Sequence, residues 1–487
     1  MNPATPFELL RLTLPEVVVA FSGLAALALD LALLQRSKAE TRWNIGAFVG
    51  IAGCVAAILL LVLRPEQASF YEGSLVVSPL TQLVQTVLAA FTILVLLLSI
   101  YSEFTSHIGE YVALVLFATT GMMVLAGTQN LLVIFASLEL LSICLYILTA
   151  FNKRSRQSAE AGLKYFLFGG MAAAFLLFGI SLLYGLSGSI ELPAIAASLQ
   201  WSPPSPLLLI AIVMIVTGFG FKVAAAPFHL WAPDAYLGAP TPSAALIASS
   251  SKIASFYVFA VVLAFSSASH PSAPGWAPLI EAVAAISMLL GNLAAIVQTS
   301  VRRLLAYSAI GHAGYMLLGI LINNAAGVRS LLYYVITYAL ATIGAFGILA
   351  ALEREGVDRL SDFAGLSRRA PWLSFCMLIF LLSLAGIPPL AGFFGKFYIF
   401  SSALAVHSDL LWLVILAIAM SAVSLYYYLR VLKQIYVREH TTISAPIQIP
   451  YLVKATVGLI AILVVLLGCA PNLLLNWIEC ALRTSPH

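Results

Sequence analysis

Charge is scarce in this sequence. Only 9% of its 487 residues are Asp, Glu, Lys or Arg, 62% are hydrophobic, and mean hydropathy is +1.02. A soluble domain carries roughly 25% charged residues, so a water-facing surface of this size is excluded. Cysteine is also sparse. Cys54, Cys144, Cys376, Cys469 and Cys480 are scattered, with no CxxC pair and no Cys/His cluster, which argues against a disulfide framework or an iron–sulfur site. No glycine-rich phosphate loop follows a strand pattern, so no nucleotide site is visible. The net charge of +4 gives no indication of nucleic-acid binding. What is abundant is long apolar runs, too long for barrel strands. The chain reads as an all-α integral membrane protein of many crossings.

About 20 apolar residues cross the ~30 Å hydrocarbon layer. Fourteen such segments lie near 14–35, 43–63, 78–101, 109–127, 129–150, 160–184, 205–237, 242–265, 276–298, 303–323, 327–352, 371–405, 409–434 and 451–476. The first is too long and too weakly charged at its flank for a cleavable signal. Alternating the loops sorts the basic residues. Arg11, Arg64, Arg329 and Arg483 fall on one side. Sixteen fall on the other, from Arg36, Lys38 and Arg42 through Arg302 and Arg303 to Lys454. Positive loops stay cytoplasmic, so both termini are expected on the outer side of a bacterial inner membrane.

The four remaining lysines, Lys164, Lys222, Lys252 and Lys396, fall within the spans. A charge at bilayer depth costs roughly 2.5–3.5 kcal/mol on insertion scales. Lys222 and Lys252 lie deep and Lys396 somewhat past the middle, whereas Lys164 is one turn inside the cytoplasmic end, where its amine either reaches the interface or joins the others. Glu139, in "VIFASLELLSICLY", is the one acid at mid-depth. Burial favours the neutral amine and a neighbouring carboxylate favours the ammonium. A lysine between these influences can exchange a proton near neutral pH, which arginine cannot do. The expected device is a proton relay in which Glu139 controls Lys222. His229 and His312 are further candidates, as titratable groups or as hydrogen-bonded packing residues. Neither has an acid or second histidine at ligand spacing, so no metal site is expected.

Two spans are interrupted. Pro227 removes the helical partner of the Val223 carbonyl, and the second break is marked by Gly386, Pro388 and Pro389. Freed backbone groups at membrane depth persist only where protein or a hydrated cavity covers them, so each break makes a polar island beside a lysine. The breaks fall in spans seven and twelve, five apart, as in transporters built from inverted repeats. The organisation expected is residues 1–108 for helices one to three, 109–265 and 266–434 for two inverted five-helix repeats (helices 4–8 and 9–13), and 435–487 for helix fourteen. The lysine precedes the break in the first repeat and follows it in the second.

The stretch "FKVAAAPFHLWAPDAYLGAPTPSAALIASSSKIASF" resembles the seventh and eighth helices of the antiporter-like subunits of respiratory complex I. "EAGLKYFLFG", "FASLELLSICLYIL", "RRLLAYSAIGHAGYMLLG" and "LSLAGIPPLAGFFGKFYIF" match in the same order, over roughly residues 100–435. The resemblance implies fourteen helices with two inverted repeats and broken helices 7 and 12. It also implies pumping groups at Glu139 and Lys222 (an ion pair), Lys252 (a linking lysine) and Lys396 (on the exit side). Lysine at 396 favours the N type over the M type, and chain length argues against the L type with its lateral helix. Leu237 stands where many relatives have an acid. By the same resemblance, the chain works in proton-translocating NADH:quinone oxidoreductase and holds no cofactor itself. Flavin, iron–sulfur clusters and quinone belong to other parts of the complex. The implied neighbours are the M-type and K-type subunits, the lateral helix of the L type, and the lipid bilayer. The rival reading is a subunit of a multisubunit cation/proton antiporter.

Overall fold

In the computed structural model the described residues are 6–63, 67–70, 73–102, 104–199, 205–267, 275–438 and 446–485. Arg64, counted above on the outer side, lies outside them. Among the described residues, twelve helices are long and apolar enough to cross a membrane unbroken or nearly so. Two more crossings are each made of two shorter helices, Pro206–Lys222 with Ala232–Gly238, and Pro371–Ala385 with Ala391–Val406. Fourteen crossings result, with the seventh and twelfth broken.

The helices begin where local chemistry dictates. Asn130, Ser155, Ser205, Ser300 and Asn324 each cap the helix that follows by accepting from its first free N–H groups, which have no partner inside the helix. Prolines at 79, 206 and 371 occupy first-turn positions, where a missing N–H is harmless. The eleventh span, Ala325–Leu352, lies at the centre. It packs on the eighth, tenth, twelfth and fourteenth spans and on the third, Pro79–Ser99, and is buried along most of its length.

Four features depart from the sequence expectation. The seventh helix ends at Lys222, before Pro227: Val223 is still αR, but Ala224 has φ +58°. The chain is turned by a left-handed residue, and the proline sits further along on the exposed side. The eighth span has its own interruption, at Ser249, between Thr241–Ala248 and Ser250–Ser267. The last span stops at Cys469, and residues after Pro471 form a separate helix, Asn472–Thr484, buried on Leu474, Leu475, Ile478 and Ala481. Finally, a small antiparallel hairpin pairs Ala68–Phe70 with Leu75–Val77.

Candidate functional site

Lys222 is the last residue of its helix, near carbonyls that favour a cation. Its side chain is buried, with 6% exposure. The ammonium donates to Ser142 Oγ at 2.6 Å, and Ser142 lies three residues after Glu139 on the fifth span, Leu131–Thr149. Glu139 is half-buried and interacts electrostatically with Lys222, but the hydrogen bond goes to the serine. Ser142 Oγ in turn donates to Leu138 O at 2.5 Å. The break is held from both sides: Phe221 O accepts from Trp231 Nε1 at 2.9 Å as well as from Ala224 N at 3.0 Å, and Ala226 N donates to Ser287 Oγ of the ninth span at 2.8 Å. Trp231 also stacks on Tyr165 at 4.1 Å.

Lys252 is 1% exposed and begins the second half of the eighth span. Its ammonium donates to Ala309 O of the tenth span, Val301–Leu321, at 2.7 Å and lies 5.5 Å from the centre of the Tyr338 ring. The neighbouring serines contribute less polarity than the sequence suggests. Ser249, Ser251 and Ser255 turn their hydroxyls onto their own helix, to Ala245 O, Ile247 O and Ser251 O.

Lys396 is 5% exposed and folds back onto the broken end of Pro371–Ala385. It donates to Ala385 O at 2.9 Å, Leu384 O at 3.1 Å and Ser421 Oγ at 2.8 Å. Its approach depends on Gly386, which has φ +88° and where an added Cβ would stand 3.0 Å from Lys396 Cδ. All three deep ammonium groups therefore rest on neutral oxygens, two of them on backbone carbonyls. An ammonium so placed can release its proton without leaving a carboxylate unpaired.

The remaining candidates separate. Lys164 is at the surface end of its helix, paired with Glu160 at 2.7 Å and Asp234 at 2.8 Å. Asp234 also takes Arg303 Nη1 at 2.9 Å, so one acid joins the sixth, seventh and tenth spans. His229 is buried beside the break, and its Nδ1 has no hydrogen-bond partner. His312 lies inside the bundle, with Nδ1 2.7 Å from Tyr334 Oη and Nε2 3.2 Å from Tyr428 Oη. Pro388 and Pro389 are exposed, and the peptides Ala226–Pro227 and Pro388–Pro389 are cis. Sequence reasoning missed Ser142, Ser421, Asp234 and the tyrosines. Ser142 had a signal, since it shares a helix face with Glu139 at a spacing of three.

The family model described as "NADH:quinone oxidoreductase/Mrp antiporter, TM" matches residues 128–421. NADH-quinone oxidoreductase subunit N 2 of Acidobacterium capsulatum is 57% identical, over 98% of this chain and 100% of that protein. The subunit N of Desulforamulus reducens is 38% identical over 94% of each. Among solved structures, a chain of respiratory complex I from Thermus thermophilus with bound aureothin is 34% identical, with TM-score 0.80 over 95% of this chain and 98% of that one. A chain of the Mrp complex from Dietzia, at 20% identity and TM-score 0.81 over 97% of each, shares the fold. The chain belongs to the antiporter-like family of membrane subunits common to NADH:quinone oxidoreductase and Mrp antiporters, on the branch of subunit N.

Proposed function

We propose that this chain is a membrane-arm subunit of NADH:quinone oxidoreductase that moves protons through Glu139, Lys222, Lys252 and Lys396, driven by electron transfer in other subunits. The observation that carries the reading is the set of three buried lysines whose ammonium groups rest on serine and carbonyl oxygens, two of them at helix breaks. Such a group is costly unless it is used, and lysine, unlike arginine, can lose its proton. Ser142 stands between controller and amine: when Glu139 is ionised it holds the proton on Lys222, and when its charge is withdrawn or neutralised the proton moves on toward Lys252. Lys396 is the exit group. His229 and His312 lie along the path, and Lys164 belongs to the charged cluster at its cytoplasmic mouth.

Flavin, iron–sulfur clusters and quinone are assigned to other parts of the complex. The neighbours are M-type and K-type subunits and the lateral helix of an L-type subunit, in a bacterial inner membrane with both termini outside. The two repeats run 109–265 and 266–434. The test is NADH-driven pumping in inverted membrane vesicles. Lys222→Ala and Glu139→Ala should assemble yet lose most proton translocation, and normal pumping by both would refute the relay. The rival, a cation/proton antiporter subunit, predicts copurification with small membrane subunits only. NADH-oxidising subunits are expected instead.

A further inference from the structure

The first three spans hold none of the four lysines, yet they bury an acid. Glu16, in the first turn of the first span, Leu14–Leu34, is 7% exposed. An acid in a first turn is ordinary, because the free N–H groups there favour it. Burying one is not. Glu16 Oε1 accepts from Gln85 Nε2 of the third span at 2.6 Å, and the same amide nitrogen donates to Met123 O of the fourth span at 3.0 Å. Gly127 closes on this amide: an added Cβ would stand 3.2 Å from Gln85 Nε2. Glu16 Oε2 has no hydrogen-bond partner among the described residues. Asp30, on the same span, shows what a structural acid looks like. Both of its oxygens accept from Arg42, and one also accepts from Gly109 N.

Glu16 lines a cavity of about 30 Å³, space enough for a water molecule. Arg11 lines the same cavity from the short helix Pro6–Leu12. Arg11 is exposed, so the cavity meets the surface there. The walls given by the second span, the hairpin and the third span are apolar or amide, among them Leu60, Val76 and Gln82. The fourth span faces Gln85 with Met123 and Gly127, which do not titrate. Among the described residues Arg11 is therefore the one other charged group at the cavity. The hairpin beside it is fastened down, with Val76 N donating to Gly127 O at 2.8 Å. Gln67 Nε2 donates to Thr484 O at 2.7 Å, so the cavity lies at the end of the bundle that carries Asn472–Thr484.

A carboxyl group with one oxygen in a hydrogen bond keeps the other for a proton. The ionised form is also provided for, because a guanidinium at the cavity can pair with the carboxylate once the proton leaves. A site that loads and unloads needs both states accommodated. We propose that Glu16 is a proton-binding site apart from the lysine relay, exchanging one proton with the compartment at the end of the bundle that carries Asn472–Thr484. On loading, an O–H bond forms at Oε2 and a hydronium is left as water. On release that bond breaks, the proton returns to water, and Arg11 turns to the carboxylate. The site does not lead across the membrane. Further along the third span, Thr92 and Ser99 turn their hydroxyls onto their own helix, to Leu88 O and Val95 O. Glu16 thus registers proton concentration on one side without carrying protons through.

The test is pH-difference infrared spectroscopy on the whole complex in lipid vesicles, without turnover. The wild type should show a carboxylic-acid C=O band that titrates, and Glu16→Gln, which keeps the shape, should lose it. Arg11→Gln should displace the midpoint of that band, and this arm stays readable if Glu16→Gln fails to assemble. In sealed vesicles the band should answer a pH step on the side of Asn472–Thr484 and ignore one on the other side. Three results overturn the proposal. Glu16→Gln removes only a carboxylate band that ignores pH, which marks a fixed charge. Arg11→Gln leaves every titrating carboxyl band in place. The band answers only from the opposite side. Lys222→Ala keeps this site and the relay distinguishable: the Glu16 band should persist there, whatever that variant does to pumping, and its loss would make Glu16 a member of the relay and end the claim of a separate site.

Discussion

A buried ammonium is defined by the oxygens it rests on. Ser142 accepts from the Lys222 ammonium at 2.6 Å, and removing an acceptor from a buried charged donor costs about 1–3 kcal/mol or more. Ser142→Ala should therefore slow pumping more than its single lost atom suggests, while Ser142→Thr, which keeps a hydroxyl, should restore most of it in the same vesicle assay. Lys164 gives the contrast. It is 42% exposed and held by Glu160 and Asp234, where exposed pairs contribute little. Lys164→Ala should retain most of the pumping that Lys222→Ala loses, and equal losses would place Lys164 in the core track. At this scale the sequence was informative about charge and silent about its neighbours. Lysines in apolar runs stand out because each is expensive, but a serine or tyrosine in a membrane helix is ordinary. Only the fold reveals that Ser421 lies 2.8 Å from Lys396 or that two phenols flank His312.

Helix breaks position these side chains, and here legibility was partial. Prolines announced both interruptions, yet the first helix ends at Lys222, ahead of Pro227, because Ala224 adopts a left-handed conformation and Trp231 and Ser287 bond to backbone groups of the break. Those partners are distant in sequence or belong to another span, so local pattern could not place the turn. The interruption at Ser249 carries no proline or glycine and left no signal. In the second break Gly386 carries the geometry. Alanine there would pay for a left-handed backbone, about 1–2 kcal/mol, and would press on Lys396 Cδ. Gly386→Ala should lower the thermal stability of the purified complex and slow pumping together. A stable, fully active variant would mean that Lys396 does not depend on this turn.

For the whole molecule, the distribution of basic residues gives the expected orientation, and the last described helix packs on the third and eleventh spans. The sequence pattern ran the fourteenth span through to 476, although Pro471 already marked a stop, because the residues beyond it remain apolar on one side. In the fold Asn472–Thr484 is a separate amphipathic helix. Glu479 binds Arg329 at the start of the eleventh span at 3.2 Å, and the chain end meets the third span through Ser485 Oγ, which accepts from Leu80 N. The helix thus sits at the ends of spans that the distribution of basic residues puts outside. This makes orientation measurable with the protein's own cysteines. Cys480 on that helix and Cys469 at the end of the span before it are exposed, whereas Cys54, Cys144 and Cys376 are buried. In a Cys469→Ser background, a membrane-impermeant maleimide added to the outer face of spheroplasts should label Cys480 and leave the three buried thiols untouched, and adding Cys480→Ser should remove that label. Labelling of Cys480 only in inverted vesicles would reverse the orientation. The lysine relay would then have to carry protons between the opposite compartments, because Lys164, Asp234 and Arg303 would open outward.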